Sequence, residues 1–117
     1  MNNLRNSVRL FGKVGMDPEV ITFENGKKKA KLSLATTETY KNQQGEKVRE
    51  TQWHTLIAWG AQAATIEKYL EKGREIAVEG KLVHRNYEDK TGKKCYITEI
   101  VLNDFIFTGS PKKENAE

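Results

Sequence analysis

The stretch Val48-Arg-Glu-Thr-Gln-Trp-His-Thr-Leu-Ile-Ala-Trp59, continued by Gly-Ala-Gln-Ala-Ala-Thr-Ile-Glu-Lys-Tyr-Leu-Glu-Lys-Gly73, changes its hydrophobic period halfway along. Over residues 48–59 side chains alternate, with Trp53, Thr55, Ile57 and Trp59 on one face and His54, Leu56 and Ala58 on the other, as in a strand. After Gly60, Ala63, Ile66 and Leu70 fall three and four residues apart, the spacing of one helical face. Lys72 then suits the last helical turn and Gly73 a left-handed cap. This is the one convincing helix in the chain, so its place among the strands decides the architecture.

Upstream, Val8 to Val14 reads as a strand, Met16-Asp17-Pro18-Glu19 as a turn, and Val20 to Phe23 as the strand resuming. Glu24-Asn25-Gly26 signals a hairpin, because Asn and Gly tolerate the positive φ of tight primed turns. Ala30, Leu32 and Leu34 then alternate with Lys29, Lys31 and Ser33, giving one dry face and one basic wet face. Residues 41–47 read as a long flexible polar loop.

Downstream, Ile76 to Tyr87 alternates again, Glu88 to Lys93 is a second polar hairpin, and the last strand runs from Cys95 to Phe107. Three strands, one short helix and two strands is the order of the all-β, five-stranded Greek-key OB barrel, whose sheet face and loops bind oligonucleotides. Another small barrel or an α+β sandwich has a compatible order. Residues 1–109 are expected to form this one domain and residues 110–117, Ser-Pro-Lys-Lys-Glu-Asn-Ala-Glu, a short disordered tail.

Composition limits the function classes. A length of 117 residues with 37% hydrophobic and 31% charged residues suits a single globular domain. The one cysteine, Cys95, cannot form an internal disulfide; it reads as a small buried hydrophobe in a reducing compartment. The longest wholly apolar run, Leu56 to Trp59, is far short of a membrane-spanning helix, so no membrane role is expected. Met-Asn-Asn-Leu-Arg-Asn-Ser resembles neither a secretory signal nor a transit peptide, and a cytoplasmic location is expected. His54 and His84 have no cysteine or carboxylate at metal spacing, so neither metal nor cofactor is expected.

The net charge of +4 is unevenly placed. Between residues 24 and 49, seven Lys and Arg stand against three Glu, which accounts for the whole surplus. A lysine-rich stretch by itself is as compatible with a solvated surface as with an anionic partner. The aromatic residues break the tie. Trp53 and Trp59 share a strand face about 20 Å apart at about 3.3 Å per residue, while Tyr40 and Tyr87 stand where hairpins leave the barrel, beside Lys41 and Arg85. Flat rings next to cations suit single-stranded nucleic acid, whose bases expose π-faces and whose phosphates need neutralising. Phe11, Phe23, Tyr69, Tyr96, Phe105 and Phe107 read mainly as core or interface residues.

Together these segments resemble the bacterial-type single-stranded DNA-binding proteins, from about Leu4 to Gly109. The resemblance is carried by Arg9-Leu-Phe-Gly-Lys-Val-Gly-Met-Asp-Pro-Glu-Val20, Leu32-Ser-Leu-Ala-Thr-Thr-Glu-Thr-Tyr40, Thr51-Gln-Trp-His-Thr-Leu-Ile-Ala-Trp-Gly60, Tyr69-Leu-Glu-Lys-Gly73 and Val78-Glu-Gly-Lys-Leu82. It implies an OB fold, a homotetramer, base stacking at Tyr40, Trp53, Trp59 and Tyr87, and a subunit contact at His54. Lys72 and Arg85 carry over as phosphate-binding positions, joined here by Lys29, Lys31, Lys41, Lys47 and Arg49 of the basic segment. Two positions depart from the family pattern: Ala61 stands where lysine is frequent, and Val83 where an arginine is found. Many members also end in a long linker and an acidic tip that recruits replication and repair enzymes. This sequence ends Pro-Lys-Lys-Glu-Asn-Ala-Glu117, so it is either tail-less or truncated, and tail-mediated recruitment is not expected.

The expectation is a non-enzymatic, sequence-nonspecific single-stranded DNA-binding protein acting in replication, recombination and repair, associated with the nucleoid. The rivals are an OB-fold replication accessory or RNA-binding protein, an OB-fold nuclease and a pure protein-interaction adaptor.

Overall fold

The computed structural model describes residues 4–108. In chain order it contains β1 (Val8–Val14), β2 (Glu19–Thr22), β3 (Lys28–Lys41), β4 (Lys47–Trp59), α1 (Ala61–Tyr69), β5 (Glu75–Glu88) and β6 (Lys94–Phe107). Neighbouring strands run in the order β1, β5, β6, β4, β3, and β3 returns to β1 through Lys13–Ala35 and Val14–Leu34, closing a five-stranded barrel. The short β2 adds to the outer edge of β3, where Ile21 pairs with Lys29. The β4–β6 contact is parallel, with Leu56 beside Ile100 and Ile57 beside Val101. The helix lies between the third and fourth barrel strands, as the sequence order implies.

Closure needs a close approach of backbones. A Cβ on Gly12 would lie 2.1 Å from the Ala35 carbonyl oxygen, so the crossing of β1 over β3 is open only to a residue without a side chain. Inside, Val14, Leu32, Leu34, Leu56, Ile76 and Val78 form the core, and α1 covers one end with Ala63, Ile66 and Leu70. Full burial of a side chain such as Ile66 contributes about 1.5–3 kcal/mol, which anchors a helix too short to be stable alone. The helix ends earlier than its spacing predicts. Leu70 is the C-cap, its N–H donating to the Ile66 carbonyl at 2.9 Å, and Lys68, not Lys72, occupies the last turn. Gly73 does take a positive φ of 90°, but in the following turn, where its N–H reaches the Val14 carbonyl at 2.8 Å.

One turn design serves the three hairpins among the described residues. Phe23, Asn42 and Asp89 each donate an N–H to the carbonyl four residues on and accept one from the glycine three residues on, Gly26, Gly45 or Gly92. Each glycine is left-handed, the geometry of a three-residue loop closed by a bulge. Side chains secure the loops: Asn42 Oδ1 accepts the N–H groups of Gln44 and Glu46, and Asp89 Oδ1 those of Thr91 and Lys93. This corrects two expectations in detail. The hairpin expected at Glu24-Asn25-Gly26 forms, with a three-residue bulged loop in place of a tight primed turn, and residues 41–47, read as a long flexible loop, are a compact turn into which both strands extend. The tail expected at 110–117 lies outside the described residues. No helix among the described residues is long and apolar enough to cross a membrane.

Candidate nucleic-acid interface

The β3–β4 ribbon pairs residue for residue from Lys29–Trp59 to Lys41–Lys47 without a register shift. Cross-strand partners share a face, so Trp59 lies beside Lys29, Ile57 beside Lys31, Thr55 beside Ser33 and Trp53 beside Ala35. Leu32, Leu34, Leu56 and Ala58 point the other way, into the core. Period-two alternation thus turns one side chain set inward and leaves the two tryptophans and two lysines on the barrel's outer surface. The same alternation carries Lys41, Lys47 and Arg49 along this face to the end of the ribbon, where all three are exposed.

The outer face continues across β6 and β5. Ile57 adjoins Val101, and the β6 positions Val101, Glu99 and Cys95 pair with Lys81, Val83 and Tyr87 of β5. Arg85 and Tyr87 therefore share the surface that bears Trp53 and Trp59. The four aromatic residues singled out from the sequence expose large fractions of their area: Trp53 62%, Tyr87 49%, Tyr40 46% and Trp59 39%. Tyr40 is set apart from the other three. It has the parity of Leu34, and its hydroxyl approaches Glu50 Oε2 at 3.4 Å, on the opposite side of the ribbon from Trp53.

Two residues unremarked in the sequence shape this surface. Gly15 leaves room for the Trp53 indole: a Cβ there would sit 2.2 Å from the ring. Glu99, only 5% exposed, is the one buried charged side chain among the described residues. Its carboxylate accepts two hydrogen bonds from Arg85, at 3.0 Å from Nε and 2.8 Å from Nη2. Those bonds, with the charges of Arg85, Lys29 and Lys31, hold the Glu99 carboxyl below its ordinary pKa against the opposing effect of burial. The same bonds raise the Arg85 guanidinium above its ordinary value. Glu99, on β6, thus ties cations of β3 and β5 together beneath the aromatic surface. No alternation pattern could reveal it, since Glu99 sits on the wet face by parity and is buried only by its partners.

Trp59 is the most elaborately dressed ring. Phe23 stacks on it with centroids 6.2 Å apart and planes 21° from parallel, while Lys27 Nζ and Lys29 Nζ lie 5.1 and 5.6 Å from the ring centroid. Lys72 stands away from these strands, exposed on the turn after α1, with its backbone N–H donating to Asp17 Oδ1 at 2.9 Å. His54 points to the inner side of β4, half-buried, its Nε2 3.0 Å from Thr36 Oγ1.

The remaining aromatic residues, read as core or interface, divide between the core and the surface of this chain. Phe105 and Phe107 pack against the core and meet edge to face at 5.7 Å. Phe11, Phe23, Tyr69 and Tyr96 are exposed on this chain and lie outside its core. Cys95 is half-buried near the β5–β6 turn, not a core residue. Among the described residues no group of three or more His, Cys, Asp or Glu is placed to hold a metal ion.

Comparison with known proteins agrees with this arrangement. The sequence profile of the single-strand binding protein family matches residues 5–108. The chain is 41% identical to single-stranded DNA-binding protein 1 of Chlorobaculum tepidum over 106 residues, covering 90% of this chain and 65% of that protein. It is 36% identical to single-stranded DNA-binding protein 1 of Xylella fastidiosa over 111 residues, covering 94% and 82%. Among solved structures it resembles the Plasmodium falciparum SSB in complex with ssDNA, with a TM-score of 0.82 and 34% identity over 89% of this chain and 95% of that one.

Proposed function

The chain belongs to the single-strand binding protein family, and we propose that it coats single-stranded DNA exposed during replication, recombination and repair, without sequence preference and without enzymatic activity. The observation that carries this reading is the shared outer face of Trp53 and Trp59, flanked in register by Lys29 and Lys31. Bases stack on Trp53, Trp59 and Tyr87, and Tyr40 serves a strand that passes over the end of the ribbon. Stacking contributes about 1–3 kcal/mol per base and hardly depends on base identity. Lys29, Lys31, Lys41, Lys47, Arg49 and Arg85 neutralise phosphates along the same face, with Lys72 reached beyond it. Releasing counterions from the DNA makes that share of the affinity fall linearly with log salt.

The protein acts as a homotetramer in the cytoplasm, at the nucleoid, with residues 1–109 as the binding domain. The exposed apolar side chains Phe11, Tyr96 and Ile106 support contacts between copies. His54 contributes to such a contact. Titration with poly-dT tests the reading: tryptophan emission is expected to be strongly quenched, and emission unchanged at saturating DNA would overturn it. In competition, an RNA oligomer that displaces dT of equal length would favour an RNA-binding role instead.

A further inference from the structure

The aromatic surface does not stop at Trp59. On the β2–β3 hairpin, Phe23 is paired with Lys27 through the Phe23 N–H and Lys27 carbonyl at 2.8 Å, continuing the row in which Ile21 pairs with Lys29 and Lys29 with Trp59. By alternation Ile21, Phe23, Lys27, Lys29 and Trp59 all face the same way. Phe23 remains 42% exposed and takes no part in the core cluster, although burial would stabilise an aromatic ring. Its ring is 21° from parallel with that of Trp59 at 6.2 Å, which sets two π-systems next to each other, and Lys27 Nζ lies over the Trp59 ring at 5.1 Å from its centroid. At the hairpin tip a Cβ added to Gly26 would meet nothing within 4 Å, so the approach is open.

We propose that the β2–β3 hairpin is a further contact site for single-stranded DNA, in which Phe23 offers a fifth stacking surface and Lys27 a phosphate contact, extending the path beyond Trp59. The inference rests on the sheet face being the DNA interface. Successive bases on one strand need successive π-faces with a cation beside each, and Trp59 followed by Phe23, with Lys29 followed by Lys27, provides that alternation. The lysines lie over the Trp59 ring in the free protein, and a phosphate is a stronger partner for an ammonium than an indole face is.

The test uses the full chain and dT oligomers from about 4 to 16 nucleotides, the range occupied by one OB fold, and longer. Phe23→Leu keeps an apolar cover on Trp59 but removes the π-face. It is expected to weaken binding of the long oligomers at least about fivefold, the low end for a stacked base, and that of the shortest much less. Lys27→Gln is expected to lower the slope of log affinity against log salt by about one. Trp53→Ala serves as the marker of the interface itself. If Trp53→Ala weakens binding while Phe23→Leu and Lys27→Gln bind all lengths like the parent, the inference is overturned and the interface stands. If the parent chain is not quenched by dT at all, the interface reading falls with it. Should Phe23→Leu unfold, a protein with Trp53→Phe, Trp59→Phe and Phe23→Trp places its only indole at the hairpin. Quenching of that emission by bound dT supports the contact, and constant emission with DNA bound refutes it.

Discussion

Arg85 grips the buried Glu99 carboxylate with two hydrogen bonds, at 3.0 and 2.8 Å, although its own side chain is about half exposed. The pair is therefore unequal. Removing the arginine strands a carboxylate away from water, whereas neutralising the glutamate leaves a guanidinium that solvent can still reach. Arg85→Ala is expected to lower the urea midpoint more than Glu99→Gln does. Equal losses, or a larger loss for Glu99→Gln, would show that the carboxylate is solvated without its partner.

Acid should act on the same pair. Because the folded protein holds the Glu99 pKa below its ordinary 4.5, the carboxylate contributes stability that is fully present above that value and is lost as pH falls through the lower folded value. Asp89 has the same sign, its carboxylate accepting from the Thr91 hydroxyl and from the Lys93 and Thr91 N–H groups. Urea midpoints measured from pH 7 downward should show a gap between the parent and Glu99→Gln that is constant above about pH 5 and closes toward acid. A gap that widens toward acid would contradict the sign.

Trp53→Ala is expected to cost about 1–3 kcal/mol of DNA binding with little change in the urea midpoint, since most of the ring is exposed. Gly15→Ala reaches the same ring from behind: the new methyl would lie 2.2 Å from the indole and must push it aside. It should weaken dT binding in the same direction and shift tryptophan emission in the free protein. If Trp53→Ala unfolds the chain, that face of β4 is structural.

Gly12→Ala is expected to behave oppositely. Its methyl would meet the Ala35 carbonyl oxygen at 2.1 Å, a backbone atom with nowhere to go, where β1 closes the barrel on β3. Overpacking of this kind costs about 1–3 kcal/mol or more. Thermal or urea unfolding should show that loss, while the folded fraction binds dT with parental affinity.

Lys29→Gln and Lys31→Gln should each reduce the slope of log affinity against log salt by about one, because each ammonium stands in register beside the aromatic surface. An unchanged slope for both would mean that phosphates pass elsewhere.

Much of this was written locally. Alternation from Lys29 to Leu34 and from Trp53 to Trp59 specifies one apolar and one wet face per strand, and the helix follows from the spacing of Ala63, Ile66 and Leu70. The turn residues at 24–26 and 88–93 mark hairpins, because Asn, Asp and Gly meet local backbone needs over a few residues. The succession of strands and helix was legible too, though another small barrel or an α+β sandwich shares it and only the β1–β3 pairing closes this one.

Pairing between distant strands decided the rest. Glu99 reads as an ordinary solvated residue until the β5–β6 register sets Val83 opposite it, with Arg85 two residues further along β5, and the parallel β4–β6 contact brings the lysine face near. Phe23 reads as a core or interface residue because aromatic rings usually find burial, but within this chain the core was already filled by Leu32, Leu34, Leu56 and Ile66, and the hairpin projects beyond it. Period-two and period-three-to-four patterns fix which way a side chain points relative to its own backbone. What it meets there depends on strands tens of residues away, whose positions follow only when the whole barrel closes around one core.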